Sequence, residues 1–135
     1  MSPARPAKAT DGPRHLRVAE EFLAAAKDSL DAGRWSPAVS DAVVAAIRAS
    51  DAVCAVELRQ TWHGLDHGGA TGLLVQTSLG THGAGLLAAL LPEKNRGRYT
   101  LMPIHEPRAR TAYQQASELV DLAADAIRRA SQNPG

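Results

Sequence analysis

SPAVSDAVVAAIRASDAVCAVELRQTW, residues 36–62, decides the fold. Wound at 3.6 residues per turn, the stretch is apolar around much of its circumference, the pattern of a helix enclosed by other helices. Ser36 suits an N-cap, and Pro37 falls in a first turn where its missing N–H costs nothing. The expectation is a long helix over 37–62 at the centre of an all-α, up-and-down antiparallel bundle of about five helices.

The flanking sequence supplies the packing partners. Upstream, Leu16, Ala19, Phe22, Leu23, Ala26 and Leu30 recur at spacings of three and four, predicting a helix over 14–32 that Gly33 stops. Asp11-Gly12-Pro13 is a start signal for it. Residues 1–13 carry Pro3, Pro6 and Gly12 with little that is apolar, and read as a disordered tail. Downstream, Asp66 reads as the N-cap of a third helix over 67–79. Thr81 reads as the cap of a fourth over 82–92. A polar connection with two prolines spans 93–107. A last helix over 106–130 carries the stripe Tyr113, Ala116, Leu119, Val120, Ala123, Ala124 and Ile127. The bundle is thus expected over 14–131, with 132–135 frayed. No internal repeat and no hairpin signal is present.

Composition agrees with one domain of 135 residues. The chain is 44% hydrophobic but only 4% aromatic, so its core must be built from Ala, Leu, Val and Ile. Net charge is +1, which gives no global footprint for nucleic acid or an acidic membrane. Twelve of the 15 basic residues are Arg, a choice that suits bidentate phosphate contacts but equally follows from coding bias. The single cysteine, Cys54, sits among Ala52, Val53, Ala55 and Val56 and reads as a small buried hydrophobe. No apolar run approaches the roughly 18 residues of a membrane span, and the N-terminus has no signal-peptide core. A cytoplasmic location is expected.

The polar candidates fall in two groups. Arg59 and His63 lie four apart at the expected end of the second helix and would share a face. With Asp66 and His67 they form the densest collection of functional side chains, suited to a phosphate or ribose. The same residues also serve as dipole partners and a cap. Lys94, Arg96 and Arg98 beside Tyr99 form a basic patch with one ring, as a phosphate and a base require. No Cys pair or His-Glu helix motif supports a metal site, and no glycine pattern makes a phosphate loop, so no metal or cofactor is expected.

Three stretches, RWSPAVSDAVVAAIRASDAVCAVEL (34–58), GLDH (64–67) and LLPEKNRGRY (90–99), taken in that order, resemble the HEPN superfamily of helical-bundle domains. The resemblance covers about residues 14–130. It implies a bundle that is often dimeric. Active members are metal-independent ribonucleases, commonly toxins of toxin–antitoxin pairs, whose signature is an Arg followed after four to six residues by a His. Arg98 and His105 have that spacing and are the catalytic candidates. Pro103 lies between them and 99–104 reads as extended, so the pair is not carried on a helix. The resemblance therefore implies a non-enzymatic module that binds a partner protein, a nucleotide or RNA as a homodimer. An antitoxin or a nucleotidyltransferase is the implied protein partner. The alternatives are a ribonuclease with a divergent Arg/His site and a scaffold without a ligand.

Overall fold

The computed structural model describes residues 3–64, 66–94 and 103–132. They form five α-helices and one short two-stranded ribbon. In order these are β1 (Ala4–Pro6), α1 (Asp11–Asp31), α2 (Trp35–Leu58), β2 (Gln60–Trp62), α3 (His67–Leu74), α4 (Gly80–Leu90) and α5 (Glu106–Gln132), with a 3-10 turn at Leu91–Glu93 after α4. The protein is an all-α helical bundle, as its sequence predicts. No described helix is long and apolar enough to cross a membrane.

α2 is the central element. Its buried positions, from Ala38 and Val39 through Ala45 and Ala46 to Val53, Cys54 and Ala55, run around the whole helix. α1 packs most extensively on it and α5 next. The seams are lined with fully buried alanines: Ala19 and Ala26 on α1, Ala42, Ala45 and Ala49 on α2, and Ala109, Ala112 and Ala116 on α5. Small side chains let the axes approach closely, so a chain with few aromatics still fills its core. Leu74, Leu87, Leu90 and Leu119 supply the bulk.

Gly33 ends α1 as expected, adopting the left-handed conformation at φ 75°. Two boundaries of α2 differ from expectation. It begins at Trp35, with Arg34 rather than Ser36 in the N-cap position, and Pro37 is still within the first turn. It ends at Leu58 and not Trp62, because Arg59 turns left-handed (φ 56°, ψ 34°) and redirects the chain.

Beyond that turn Gln60–Trp62 is a strand, paired antiparallel with Ala4–Pro6 in the register Ala4↔Trp62, Arg5↔Thr61 and Pro6↔Gln60. The Ala7 N–H donates to the Arg59 carbonyl at 2.9 Å, and the His63 N–H donates to the Pro3 carbonyl at 2.9 Å. The expected disordered tail is thus corrected from residue 3 onward. Its prolines suit the extended edge of a ribbon, and the backbone groups that a polar tail would give to water are given to β2 instead. Residues 8–12 then turn into α1, where Asp11 accepts the Lys8 N–H at 3.1 Å.

Asp66 caps α3 as predicted, accepting the Gly68 N–H at 2.9 Å. α3 stops at Leu74, five residues early. Thr77 ends it by donating its hydroxyl to the Leu74 carbonyl (2.7 Å) and accepting the Leu79 N–H (3.2 Å). Glu57 fixes this corner to α2, accepting from the Ser78 N–H at 2.7 Å and the Ser78 hydroxyl at 2.5 Å. α4 starts at Gly80 without a side-chain cap, so Thr81 lies inside the helix and caps nothing. Glu93, 8% exposed, receives Arg108 Nε at 3.0 Å and ties the 3-10 turn to α5.

Candidate functional site

The early end of α2 opens a cleft of about 200 Å³ beside its C-terminal half. Ile47, Ser50, Asp51 and Cys54 of α2 form one wall. Trp62, His63, Gly64 and Asp66 from β2 and the following loop form a second. Ala70 and Leu73 of α3, Leu87 of α4, and Leu91 and Lys94 beyond it complete the floor and mouth. Residues from all three sequence stretches 34–58, 64–67 and 90–99 therefore line one site.

Trp62 is the lid of this wall. Its indole six-membered ring lies so close to Gly69 that any side chain there would occupy the ring, and a Cβ on Gly64 would stand 3.0 Å from it. Gly69, which weakens α3 as a helix, is the residue that lets the indole lie against α3. The indole N–H is buried, and no described group accepts from it.

Asp51 is the chemically distinctive group. It is half-buried in the most buried helix of the bundle, and no described residue hydrogen-bonds its carboxyl. Burial pushes its pKa up to about 7, against the smaller opposing pull of the Arg48 guanidinium. Near neutrality it can therefore present either a carboxylate or a hydrogen-bond donor. Cys54 differs. Burial pushes its thiol up to about 12 despite the Ser50 hydrogen bond, so it is the inert hydrophobe its surroundings suggest.

A second cleft of about 470 Å³ adjoins the first and shares Ile47, Asp51, Trp62 and His63 with it. It adds Pro6, Ala7, Asp11, His15, Arg48 and Thr61. Arg48 Nη1 lies 3.1 Å from His15 Nδ1, and Thr61 Oγ1 lies 2.8 Å from His63 Nε2. His15 is held below the usual imidazole range, first by burial and then by Arg48.

The sequence-predicted residues divide accordingly. His63, Asp66 and Lys94 line the first cleft. Arg59 does not. It is exposed at the end of α2 and borders neither cleft, and because it is left-handed it shares no helical face with His63, which is an expectation the structure corrects. His105 is exposed ahead of α5, where its carbonyl accepts the Ala109 N–H at 3.2 Å, and it borders neither cleft. Arg96, Arg98, Tyr99 and the side chain of His67 lie outside the described residues. Among the described residues, no three His, Cys, Asp or Glu side chains gather closely enough to hold a metal.

Asp51, Trp62, Arg48 and His15 were not singled out by sequence. The available signal was Asp51 itself, a carboxylate between Ala49 and Ala55 in the most buried helix of the chain. Searches of protein-family models and of curated proteins find no match to this chain.

Proposed function

We propose that the protein is a non-enzymatic, HEPN-like binding module whose first cleft takes a single flat heterocycle, the nucleobase of a nucleotide or of RNA. One observation carries this reading: a half-buried carboxyl, Asp51, with no hydrogen-bond partner among the described residues, faces a small cleft walled by an indole and by Ile47, Leu73, Leu87 and Leu91. Burying a carboxyl without hydrogen bonds is costly, so its retention points to a ligand that completes them. At about 200 Å³ the cleft is smaller than the roughly 300–1,000 Å³ of drug-sized sites, and suits one ring. Apolar walls would hold the ring's faces, and the Asp51 carboxyl, acting as donor or acceptor, would read its edge. Lys94 at the mouth adds a cation on the solvent side.

Calorimetry with adenosine, guanosine, cytidine and uridine tests this. At least one nucleoside should bind saturably, and Asp51→Ala should weaken it at least about tenfold, the effect of losing a charge-assisted hydrogen bond. Binding by none of the four, or an affinity indifferent to Asp51→Ala, would remove the reading. The purified protein should leave RNA intact. Cleavage that disappears in His105→Ala would replace this reading with the ribonuclease.

A further inference from the structure

The second cleft adds α1 and the β1 side of the ribbon to the α2 and β2 residues it shares with the first, and six polar side chains border it: Asp11, His15, Arg48, Asp51, Thr61 and His63. Arg48 is its centre. Arg48 is half-buried, and although its charge acts on Asp51 at longer range it forms a close ion pair with no carboxylate among the described residues, unlike Arg108, Arg110 and Arg128. A cation that cannot lose its charge, partly withdrawn from water, calls for an anion.

The side-chain contact it makes sharpens this. Arg48 has only donors, so at 3.1 Å His15 Nδ1 must be the acceptor. The His15 proton then resides on Nε2, and the ring is a neutral donor fixed beside the guanidinium. His63 contributes a second imidazole on the same cleft, steadied by Thr61 at 2.8 Å. The two carboxylates oppose an anion less than their number suggests. Asp11 is engaged by the Lys8 N–H. Asp51 is protonated for much of the time near neutrality, because burial raises it to about 7, and can meet an anionic oxygen as a donor.

We infer that Arg48, His15 and His63 form a phosphate-binding site, and that it takes the phosphate monoester of the ligand whose heterocycle occupies the adjoining cleft. A guanidinium fork with two imidazoles on the same cleft suits tetrahedral phosphate oxygens, which accept paired N–H donors in parallel. The clefts share Ile47, Asp51, Trp62 and His63, so one ligand reaches both. The identification of the monoester as part of a nucleotide rests on the nucleobase reading, whereas the phosphate site itself rests on Arg48 and His15.

The test uses the full chain and inorganic phosphate, followed by NMR at pH 7 against chloride at matched ionic strength. Phosphate should bind saturably. Arg48→Gln should weaken it at least about tenfold, and Arg48→Lys, which keeps the charge but loses the fork, by about threefold or more. Asp51→Asn should tighten phosphate about two- to threefold by removing like charge, in the opposite direction to the loss of nucleoside binding expected of Asp51→Ala. His15→Gln provides a second variant should Arg48→Gln lose its fold, as checked by circular dichroism. A nucleoside monophosphate should bind at least about tenfold more tightly than its nucleoside. Absence of saturable phosphate binding, or equal binding by wild type, Arg48→Gln and His15→Gln, overturns the site. Nucleosides that bind while phosphate does not would overturn this site and leave the nucleobase cleft standing. Phosphate binding without nucleoside binding would do the reverse.

Discussion

At pH 8, Asp51→Asn is expected to be more stable than the wild type by on the order of 2–4 kcal/mol. The Asp51 carboxyl has its pKa raised by burial from 3.8 to about 7, so the folded chain holds this proton more tightly than the unfolded chain does. A raised carboxyl costs nothing below about pH 4, where both states are protonated. The cost grows as pH rises between about 4 and 7, because folding must then strip the unfolded chain's carboxylate of water or protonate it. Above 7 the cost is constant. Asparagine has no such term, so the two proteins should match at pH 4 and separate progressively to pH 7. Urea unfolding at pH 4, 5.5, 7 and 8 measures this. Parallel pH profiles would mean that the carboxyl is solvated and has no unmet hydrogen bonds to offer a ligand. A residue that lowers stability in its own core helix is the kind retained for binding.

The second large effect is destabilising. Arg108→Ala should cost about 2–3 kcal/mol. Glu93 is 8% exposed and takes Arg108 Nε at 3.0 Å, while Arg108 Nη2 reaches the Ala89 carbonyl at 3.3 Å. Removing the guanidinium takes a charged hydrogen bond from a buried carboxylate and loosens the turn that carries Lys94. The Arg108 side chain is 29% exposed, so the loss falls short of the 3–5 kcal/mol seen when fully buried pairs are broken. Adding Glu93→Leu to Arg108→Leu should recover part of the stability, because the double variant no longer buries a carboxylate that has lost its Arg108 hydrogen bond. Urea unfolding of the single and double variants decides it. Equal losses in both would place the energy in packing.

What could be read from the sequence was local. The helical stripes of α1 and α5, the stop at Gly33 and the cap at Asp66 each depend on residues within a turn or two, and each is present in the structure. What could not be read was the pairing of residues 4–6 with 60–62, about 55 positions apart and without a hairpin turn between them. That pairing explains the other differences. It orders the N-terminal segment and gives Gln60–Trp62 a partner more favourable than another helical turn. With Arg59 left-handed, it also breaks the i, i+4 relation expected of Arg59 and His63. The site followed the same division. His63, Asp66 and Lys94 were recognisable by residue type and position. Asp51 and Trp62 acquire their roles only when α2, β2 and α3 meet around them, and Arg48 and His15 only when α1 crosses α2.

The decisive question is whether the cleft beside Asp51 is where a nucleotide goes. The chain has two tryptophans, Trp35 at the start of α2 and Trp62 on the cleft, so their indole N–H resonances form a built-in reporter and control. In a ¹H–¹⁵N correlation titration with a nucleoside monophosphate, the Trp62 indole resonance and the backbone amides of Ile47, Asp51 and Leu87 should shift together with one dissociation constant, while the Trp35 indole stays fixed. Saturable binding that leaves Trp62 unmoved, or no binding at millimolar nucleotide, would contradict it.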